Sequence, residues 1–591
     1  MKKPILLPIP KNIVYGTETI ANDVLQGKIE VEFDSNLPRE GYNLSVKSDG
    51  IKVVAADKAG EFYAKQTLKQ LISQYSKNDC PALEIEDYPD LALRGVSLDV
   101  SRDRMPSFEN LLKFVDLLAS WKINTFTLYF EHVFAFKNHK KVWEKAAYLT
   151  AENIQELDKY CQERFIELIP TQETLGHLSR WLCHEPYRQL AECPEGCYSS
   201  WRLKETDPFS ICPADPKSLE FMEELLDELL PNYSSKYFFC GGDETFDIGK
   251  GRSKEACEKI GLNKVYADYF KGIGKIAQKN GKKIFIYSDM VKNDPEFLKV
   301  LPEDTILAEW GYGRHYPFKE NAKKFIECGL DFIFIASNSN YSTWGGRTYR
   351  WRGNIANAVQ SAMELKAKGC FFHEFGDFGH WTQFSFSLPG FAYAAAVSWN
   401  LAGNENMDIA EALDFLIYDN CSGVADLILD IGKIYNHTAA PDDNDLLYWM
   451  FYREQYEKTH EYFATLTLDD LAKASEDVLH AEYKLKRLPA VPALVRQEIM
   501  LSLQSLKFAI HTAEEFLLDE NAKKFNEVNE AAQKRLAAEF EKLIDALLAH
   551  RDANYLPGGR REAMHWLRRY WYFVCGKVEF PDRFTAVIAD L

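Results

Sequence analysis

Hydrophobic and polar positions change rhythm twice along this chain. Residues 1–88 alternate short strand-like runs with turns, most clearly at Ile29–Phe33, Tyr42–Val46 and Ile51–Ala55. The stretch from Gly60 to Tyr75 then places Phe62, Leu68, Leu71 and Ile72 at helical spacing. This mixture predicts a small α+β domain. In residues 89–403 eight apolar runs recur: Leu93–Val100, Thr125–Glu131, Ile166–Glu173, Tyr237–Glu244, Lys283–Met290, Thr305–Tyr312, Asp331–Asn338 and Gly369–Gly376. Amphipathic stretches lie between most of them, among them Ser107–Ser120, Asn153–Arg164, Pro216–Leu230, Lys264–Asn280, Asn321–Cys328 and Asn354–Lys368. Eight such units predict an α/β fold, a (β/α)8 TIM barrel. Residues 404–591 keep helical periodicity at Met407–Tyr418, Asp442–Leu466, Thr467–Lys486, Leu494–Leu518 and Ala522–His550, which predicts a mostly α-helical domain.

The ends of the predicted strands carry polar residues that a doubly wound sheet would rarely collect on every strand. They are Asp99 and Arg102, Glu131 and His132, Glu173 and His177, Asp243 and Glu244, Asp289, Glu309 and Trp310, Asn338 and Tyr341, and Glu374 and Asp377. A barrel brings these ends to one rim, where its active site lies. The segment Tyr237-Phe-Phe-Cys-Gly-Gly-Asp-Glu-Thr245 is the most informative. An apolar run ends in two glycines and two adjacent carboxylates. Neighbouring carboxylates push each other's pKa values apart, as acid/base chemistry requires.

Composition narrows the function. With 70 Lys and Arg against 88 Asp and Glu, the formal charge is −18. That opposes binding to nucleic acid or to anionic membranes. No run approaches the ~18 apolar residues of a membrane span. The N-terminal Met1–Pro10 stretch is broken by prolines and does not read as a signal peptide. The 12 cysteines form no spacing framework, which favours reduced thiols in a cytoplasm. Cys183, Cys193, Cys197 and Cys212 fall close together with His184, but their spacing matches no Cys-x-x-Cys zinc site, so no metal is expected.

Three motifs in order, Arg94-Gly-Val-Ser-Leu-Asp-Val-Ser-Arg102, Ile169-Pro-Thr-Gln-Glu-Thr-Leu-Gly-His177 and Gly241-Gly-Asp-Glu244, resemble glycoside hydrolase family 20. Gly60–Leu71 is similar to the last helix of the small domain that precedes the barrel in that family. Diguanylate cyclases share the letters Gly-Gly-Asp-Glu, but an aromatic residue follows there and Thr245 follows here. The resemblance implies an exo-acting, retaining β-N-acetylhexosaminidase, needing no cofactor, that removes terminal GlcNAc or GalNAc from a glycan. In this family the substrate's 2-acetamido oxygen is the nucleophile. Glu244 would be the acid and Asp243 would orient the acetamido group. Arg94 would hold outer hydroxyls, and His177 would support the acid. Trp310 and Trp344 would wall the acetamido pocket, and Tyr341 would donate to the acetamido oxygen. Asp377 would contact hydroxyls, with Asp289 a further binding candidate.

The chain departs from the family pattern at Phe239, where His is usual, at Leu175, where Pro is usual, and at Phe375, where Trp is common; the usual Asp of the third loop is displaced toward Glu173 or Thr174. These changes mark a divergent branch. Two alternatives remain at this level: the same fold selective for GalNAc or a modified hexosamine, or a catalytically silent sugar-binding protein. The helical domain is expected to close one side of the pocket or to form a homodimer contact, with the Asn554–Arg560 loop near the site.

Overall fold

A computed structural model describes residues 3–584, apart from 76–78, 199–203, 206, 293–294, 300, 303, 439, 441–442 and 453–456. At the N-terminus a five-stranded sheet is formed by Asn12–Ile20, Ile29–Phe33, Tyr42–Lys47, Gly50–Ala55 and Cys80–Asp87. Its spatial order is first, fifth, third, fourth, second. Tyr42, Leu44 and Val46 alternate inward, and helix Lys58–Tyr75 covers them with Tyr63, Ala64, Leu68 and Leu71.

Each of the eight predicted runs supplies a parallel barrel strand: Leu93–Asp99, Thr125–Tyr129, Glu167–Leu168, Tyr237–Phe239, Lys283–Tyr287, Ile306–Trp310, Asp331–Ser337 and Gly369–Glu374. Thr171 bridges Phe239 in parallel and closes the ring between the third and fourth strands. There Phe239 N–H donates to Pro170 O (2.9 Å) and Gln172 N–H to Phe239 O (3.0 Å). Side-chain alternation divides the core in two. Ile169, Phe239, Phe285, Tyr287, Ile306, Ala308, Ile333, Ile335 and Phe371 fill the interior. Phe239 stacks on Phe285 with ring centroids 4.5 Å apart, so the residue that departs from the family pattern has become barrel packing. Phe238, Ile284, Leu307 and Phe372 face the helical layer instead.

Helix starts follow local chemistry. Ser107 caps Phe108–Ser120 by accepting from Asn110 N–H, and Thr150 forms a capping box with Asn153 ahead of Ala151–Gln162. After the barrel come Ile409–Leu416, Leu468–Arg487, Ala493–Leu518, Glu530–Asn554 and Arg560–Cys575. The helix expected over 442–466 is not formed. Leu446–Trp449 is one short turn, and Lys458–Leu466 runs through turns; residues 442 and 453–456 lie outside the described residues. The cause is tertiary. Asp445 accepts from Thr343 Oγ1 (2.7 Å), and the Leu447 carbonyl accepts from Trp344 Nε1 (3.1 Å). These contacts hold the segment on the barrel rim. No described helix is long and apolar enough to cross a membrane.

Arg94, expected among the sugar-binding residues, is wholly buried at the opposite end of the barrel. It starts the first strand, and its guanidinium donates to Glu40 Oε2 (2.6 Å), Lys122 O (2.9 Å) and Leu91 O (2.8 Å). Beside it Lys122 Nζ pairs with Asp87 (2.7 Å), and Trp399 Nε1 donates to the same carboxylate (2.7 Å). The small domain is therefore docked through a dry cluster of two cations, two carboxylates and one indole. Removing one member of a buried pair strands the other charge. Arg94→Ala is expected to lower the unfolding free energy by about 3–5 kcal/mol in denaturant titration, with KM for any sugar unchanged. A raised KM at unaltered stability would return Arg94 to the binding site.

Candidate active site

The fourth strand delivers its carboxylates through a backbone that only glycine permits. Gly241 and Gly242 have φ of 71° and 98°. A Cβ on Gly241 would lie 2.0 Å from Glu173 Oε2, and one on Gly242 would lie 2.4 Å from Phe270 Cζ. Both the torsion and the close approach exclude side chains. Glu244 itself sits at φ 53°, and His177, facing it from the third loop, at φ 54°. Left-handed non-glycine residues cost about 1–3 kcal/mol each and persist where surrounding structure enforces them. Here Asp289 does so: its Oδ2 accepts Glu244 N–H (2.9 Å) and its Oδ1 accepts Trp310 Nε1 (3.2 Å). Asp289 thus ties the fourth, fifth and sixth strand ends together rather than capping a helix.

His177 is the hub. Its Nε2 lies 3.5 Å from Asp243 Oδ2 and 3.4 Å from Glu244 Oε2, and its Nδ1 lies 3.6 Å from Glu131 Oε1. Burial disfavours the imidazolium, but the charge of Asp243 and the contacts to both carboxylates overcome it, and the pKa stands well above the ordinary value. Arg102 supplies the second cation, reaching Asp99 Oδ2 (3.3 Å) and Glu131 Oε1 (3.1 Å) while its guanidinium lies 4.4 Å from the Tyr129 ring centroid. Burial raises Glu244, Asp243 and Asp377 add to the rise, and His177 opposes it. Burial, then Asp243, pushes Glu173 well above the carboxylate range. Burial, then Asp243, pushes Asp289 up to about 7. Asp377 is half-buried and also raised by burial, against the pull of Arg102. One atom each from His177, Asp243 and Glu244 falls within a 4.8 Å group, the size of a metal shell. The raised pKa of His177 reflects its pairing with the two carboxylates.

Aromatic rings border these charges. Trp310 and Tyr312 lie 5.2 Å apart, Tyr312 and Tyr341 5.7 Å, Tyr312 and Phe375 6.0 Å, and Phe375 and Tyr129 5.6 Å. Tyr341 is half-buried, with Arg347 stacked at 4.3 Å and donating to its carbonyl (2.8 Å). Trp344 does not join this wall. It is 2% exposed and its ring packs 4.7 Å from Tyr448, because the segment after Asp445 covers it. Glu309 and Glu374 alternate outward into hydrogen bonds with Asn321 (2.6 Å) and Ser387 (2.7 Å), which leaves Asp377 facing the mouth. Cys183, Cys193, Cys197 and Cys212 form no disulfide and no three-ligand cluster among the described residues.

Residue-by-residue reading of the chain did not give roles to Arg102, Tyr312, Arg347 or His373. Arg102 carried a usable signal, since it follows the C-terminal end of the first strand, whereas Arg94 precedes that strand's body. The others depend on loop paths. His373 is buried beneath Phe375 with both ring nitrogens unpartnered, and burial lowers it to about 3, so it is neutral.

The C-terminal layer reaches this rim. Arg551 donates to Asp103 O and Gly558 O (2.7 Å), Leu556 N–H donates to Met105 O (2.9 Å), and Tyr570 OH donates to Phe378 O (2.9 Å). The 554–560 loop therefore packs on the first strand's loop, and helix Arg560–Cys575 packs on the eighth.

A (β/α)8 barrel with an acid pair at the end of its fourth strand and an imidazolium between the two carboxylates has the layout of a sugar-cleaving barrel. Two family models match: Glycosyl hydrolase family 20, catalytic domain, over residues 92–367, and Glycosyl hydrolase family 20, domain 2, over residues 5–88. The chain belongs to glycoside hydrolase family 20. A beta-hexosaminidase of Porphyromonas gingivalis is 27% identical over 45% of this chain and 38% of its own length. A lacto-N-biosidase of Bifidobacterium bifidum is 26% identical over 47% of this chain and 25% of its own. The match thus spans less than half the length of these curated relatives. Among solved structures, Flavobacterium johnsoniae chitobiase aligns over 92% of this chain and 98% of its own at TM-score 0.59 and 19% identity, which shows a shared fold. A Vibrio harveyi exo β-N-acetylglucosaminidase aligns over 67% and 73% at TM-score 0.56 and 18% identity.

The Asp289 carboxyl has a sign-defined signature. Its folded pKa of about 7 exceeds the ordinary 3.8, so the folded state holds a proton that the unfolded chain has released between those values. Stability contributed through this group falls as pH rises from about 4 to about 7. Asp289→Asn is expected to flatten the unfolding free energy over that window relative to the parent, and to cut kcat about 100-fold by releasing the Glu244 peptide. Parallel stability curves for the two proteins would rule the assignment out.

Proposed function

We propose that the protein is an exo-acting, retaining β-N-acetylhexosaminidase working through the 2-acetamido group of its substrate. The carrying observation is that Asp243 and Glu244 are adjacent and converge on one nitrogen of His177 at 3.5 and 3.4 Å. Carboxylates leaving one strand end reach the same side of a bound sugar. They do not straddle the glycosidic bond as a protein nucleophile and acid would. A nucleophile supplied by the substrate resolves this.

Glu244, raised by burial and by Asp243, keeps a proton for the glycosidic oxygen and takes one back from water in the second step. Asp243 accepts the acetamido N–H and faces the charge that develops on the five-membered ring. His177 holds the two carboxylates in register. Trp310, Tyr312 and Phe375 offer apolar faces to the acetamido methyl, and Tyr341 is placed to donate to its oxygen. Arg102 and Asp377 take the outer hydroxyls, the role first given to Arg94. The partner is a glycan or glycoconjugate ending in β-linked GlcNAc or GalNAc. Cysteines that form no disulfide suit a reducing cytoplasm.

Nitrophenyl β-GlcNAc and β-GalNAc are expected to be hydrolysed and nitrophenyl β-glucoside left intact. Asp243→Ala should lower kcat on the acetamido sugars about 10²–10³-fold. Full activity of that variant, or equal cleavage of the glucoside, contradicts the mechanism. Binding without turnover of any acetamido sugar identifies a lectin-like protein instead. His177→Gln removes the cation that lowers Glu244. The alkaline limb of kcat/KM, where Glu244 loses its proton, should therefore move to higher pH; a shift toward acid would reject Glu244 as the proton donor.

A further inference from the structure

Tyr341 and Tyr312, two rings of the aromatic wall, stand on backbone that is held from outside. Ser339 and Ser342, on either side of Tyr341, sit at φ 54° and 48°. Left-handed residues other than glycine persist where surrounding structure enforces them. Arg347 supplies the enforcement. Its Nε donates to Ser339 O (3.1 Å), its Nη2 donates to Tyr341 O (2.8 Å), and its guanidinium lies 4.3 Å from the Tyr341 ring centroid. Arg350, in the first turn of helix Thr348–Leu365, does the same for the sixth loop, with Nε donating to Tyr312 O (2.9 Å). One turn further, Asn354 Nδ2 donates to Gly311 O (2.8 Å) and Gly313 O (2.9 Å). Both arginines are buried. Burial lowers Arg350; Tyr341 opposes the shift and neighbouring Arg347 adds to it.

The two guanidiniums meet on one atom. Asn444 Oδ1 accepts from Arg347 Nη1 (3.0 Å) and from Arg350 Nη1 (2.7 Å). Asn444 is buried and lies 97 residues beyond Arg347, in the segment that Asp445 and Leu447 hold on the barrel rim. A guanidinium presents its donors in a rigid fork. Fixing one Nη of each fork therefore aims the remaining N–H groups at the carbonyls of Tyr341 and Tyr312. The wall they carry lies within the field of the acid pair: burial, then Tyr287, Tyr341, Asp243 and Glu244, raise the Tyr312 hydroxyl well above the phenol range. Burial raises Asp377, and Arg347 is one of the cations that pull against it.

We propose that Asn444 is a positioning residue for the acetamido pocket: through its single carbonyl oxygen the chain beyond the barrel fixes the Arg347 and Arg350 forks and, through them, Tyr341 and Tyr312. Asn444 acts through these groups and touches no substrate itself. The inference rests on the hexosaminidase reading, in which Tyr341 donates to the acetamido oxygen, and adds to that pocket a part supplied from outside the barrel. A misplacement of about 1 Å in a group that orients the reacting atoms costs up to about 100-fold in rate.

Asn444→Leu keeps the volume and removes the acceptor, whereas Asn444→Asp keeps the acceptor. On nitrophenyl β-GlcNAc, Asn444→Leu is expected to lower kcat about 10–100-fold with little change in KM, and Asn444→Asp to return kcat to within about threefold of the parent. Arg314→Gln breaks a neighbouring tie of the same segment, Arg314 Nη2 to Asp443 Oδ1 (3.2 Å), and should leave kcat unchanged. Hydrogen exchange supplies a readout apart from turnover: amides of residues 339–347 should exchange faster in Asn444→Leu, while those of the fourth strand keep the parent rate. Equal losses of kcat in all three variants, or faster exchange throughout the barrel without rescue by Asn444→Asp, mark general docking and overturn the proposal. Two further outcomes separate it from the reading beneath it. A parent that cleaves no acetamido sugar but shows the expected exchange pattern sinks the hydrolase reading and keeps the hold on Tyr341. A parent that turns over, matched in kcat and exchange by Asn444→Leu, does the reverse.

Discussion

Carboxylates crowd the mouth of this barrel, and two cations make the crowding tolerable. Asp99, Glu131, Glu173, Asp243, Glu244, Asp289 and Asp377 all come from strand ends or the loops just beyond them, and Arg102 and His177 are set among them. Like charges at such separations cannot all remain ionised in a buried site. The site settles by keeping some carboxyls protonated and by holding His177 as an imidazolium. Its proton distribution is therefore a property of the fold. Burial, with Asp243 and Asp377 adding to it, raises Glu244 against the pull of His177. The acid role proposed for Glu244 and the integrity of the rim draw on the same charge balance.

The backbone carries a second part of that balance. Gly241 and Gly242 let the fourth strand turn under Glu173 and Phe270, and Glu244 then takes a left-handed conformation held by Asp289. Similar left-handed residues recur on neighbouring loops at Asp103, His177, Ser339, Ser342 and Phe378. The strain is offset by the closed barrel beneath, whose aromatic interior of Phe239, Phe285 and Phe371 leaves the strands little freedom.

Flanking domains fix the frame from both ends. Below, the small domain is docked through Arg94, Lys122, Glu40, Asp87 and Trp399. Above, the helical layer meets the first and eighth loops through Arg551, Tyr555 and Tyr570. That layer buries Trp344 and sets Trp566 against Phe378, the residue after Asp377. It therefore determines which aromatic rings remain available to a ligand.

Period and spacing made much of this legible. Eight apolar runs give eight strands because a strand buried on both faces needs a continuous apolar stretch, and two glycines before two acids mark a turn that only a site requires. The gathering of Asp243, Glu244, His177, Asp289, Trp310 and Tyr341 at one rim follows from their positions after strands. Other features were settled only in three dimensions. Arg94 and Arg102 stand eight residues apart on one strand and its loop, at opposite ends of the barrel, and residue type does not say which end faces a ligand. Trp344 and the 442–466 segment obey each other: a helical pattern gives way when its backbone and side chains are claimed by a rim some hundred residues away in the chain. Local sequence encodes periodicity and torsion; which side chain meets water, ligand or another domain depends on contacts between distant segments, and those exist only once the chain has closed.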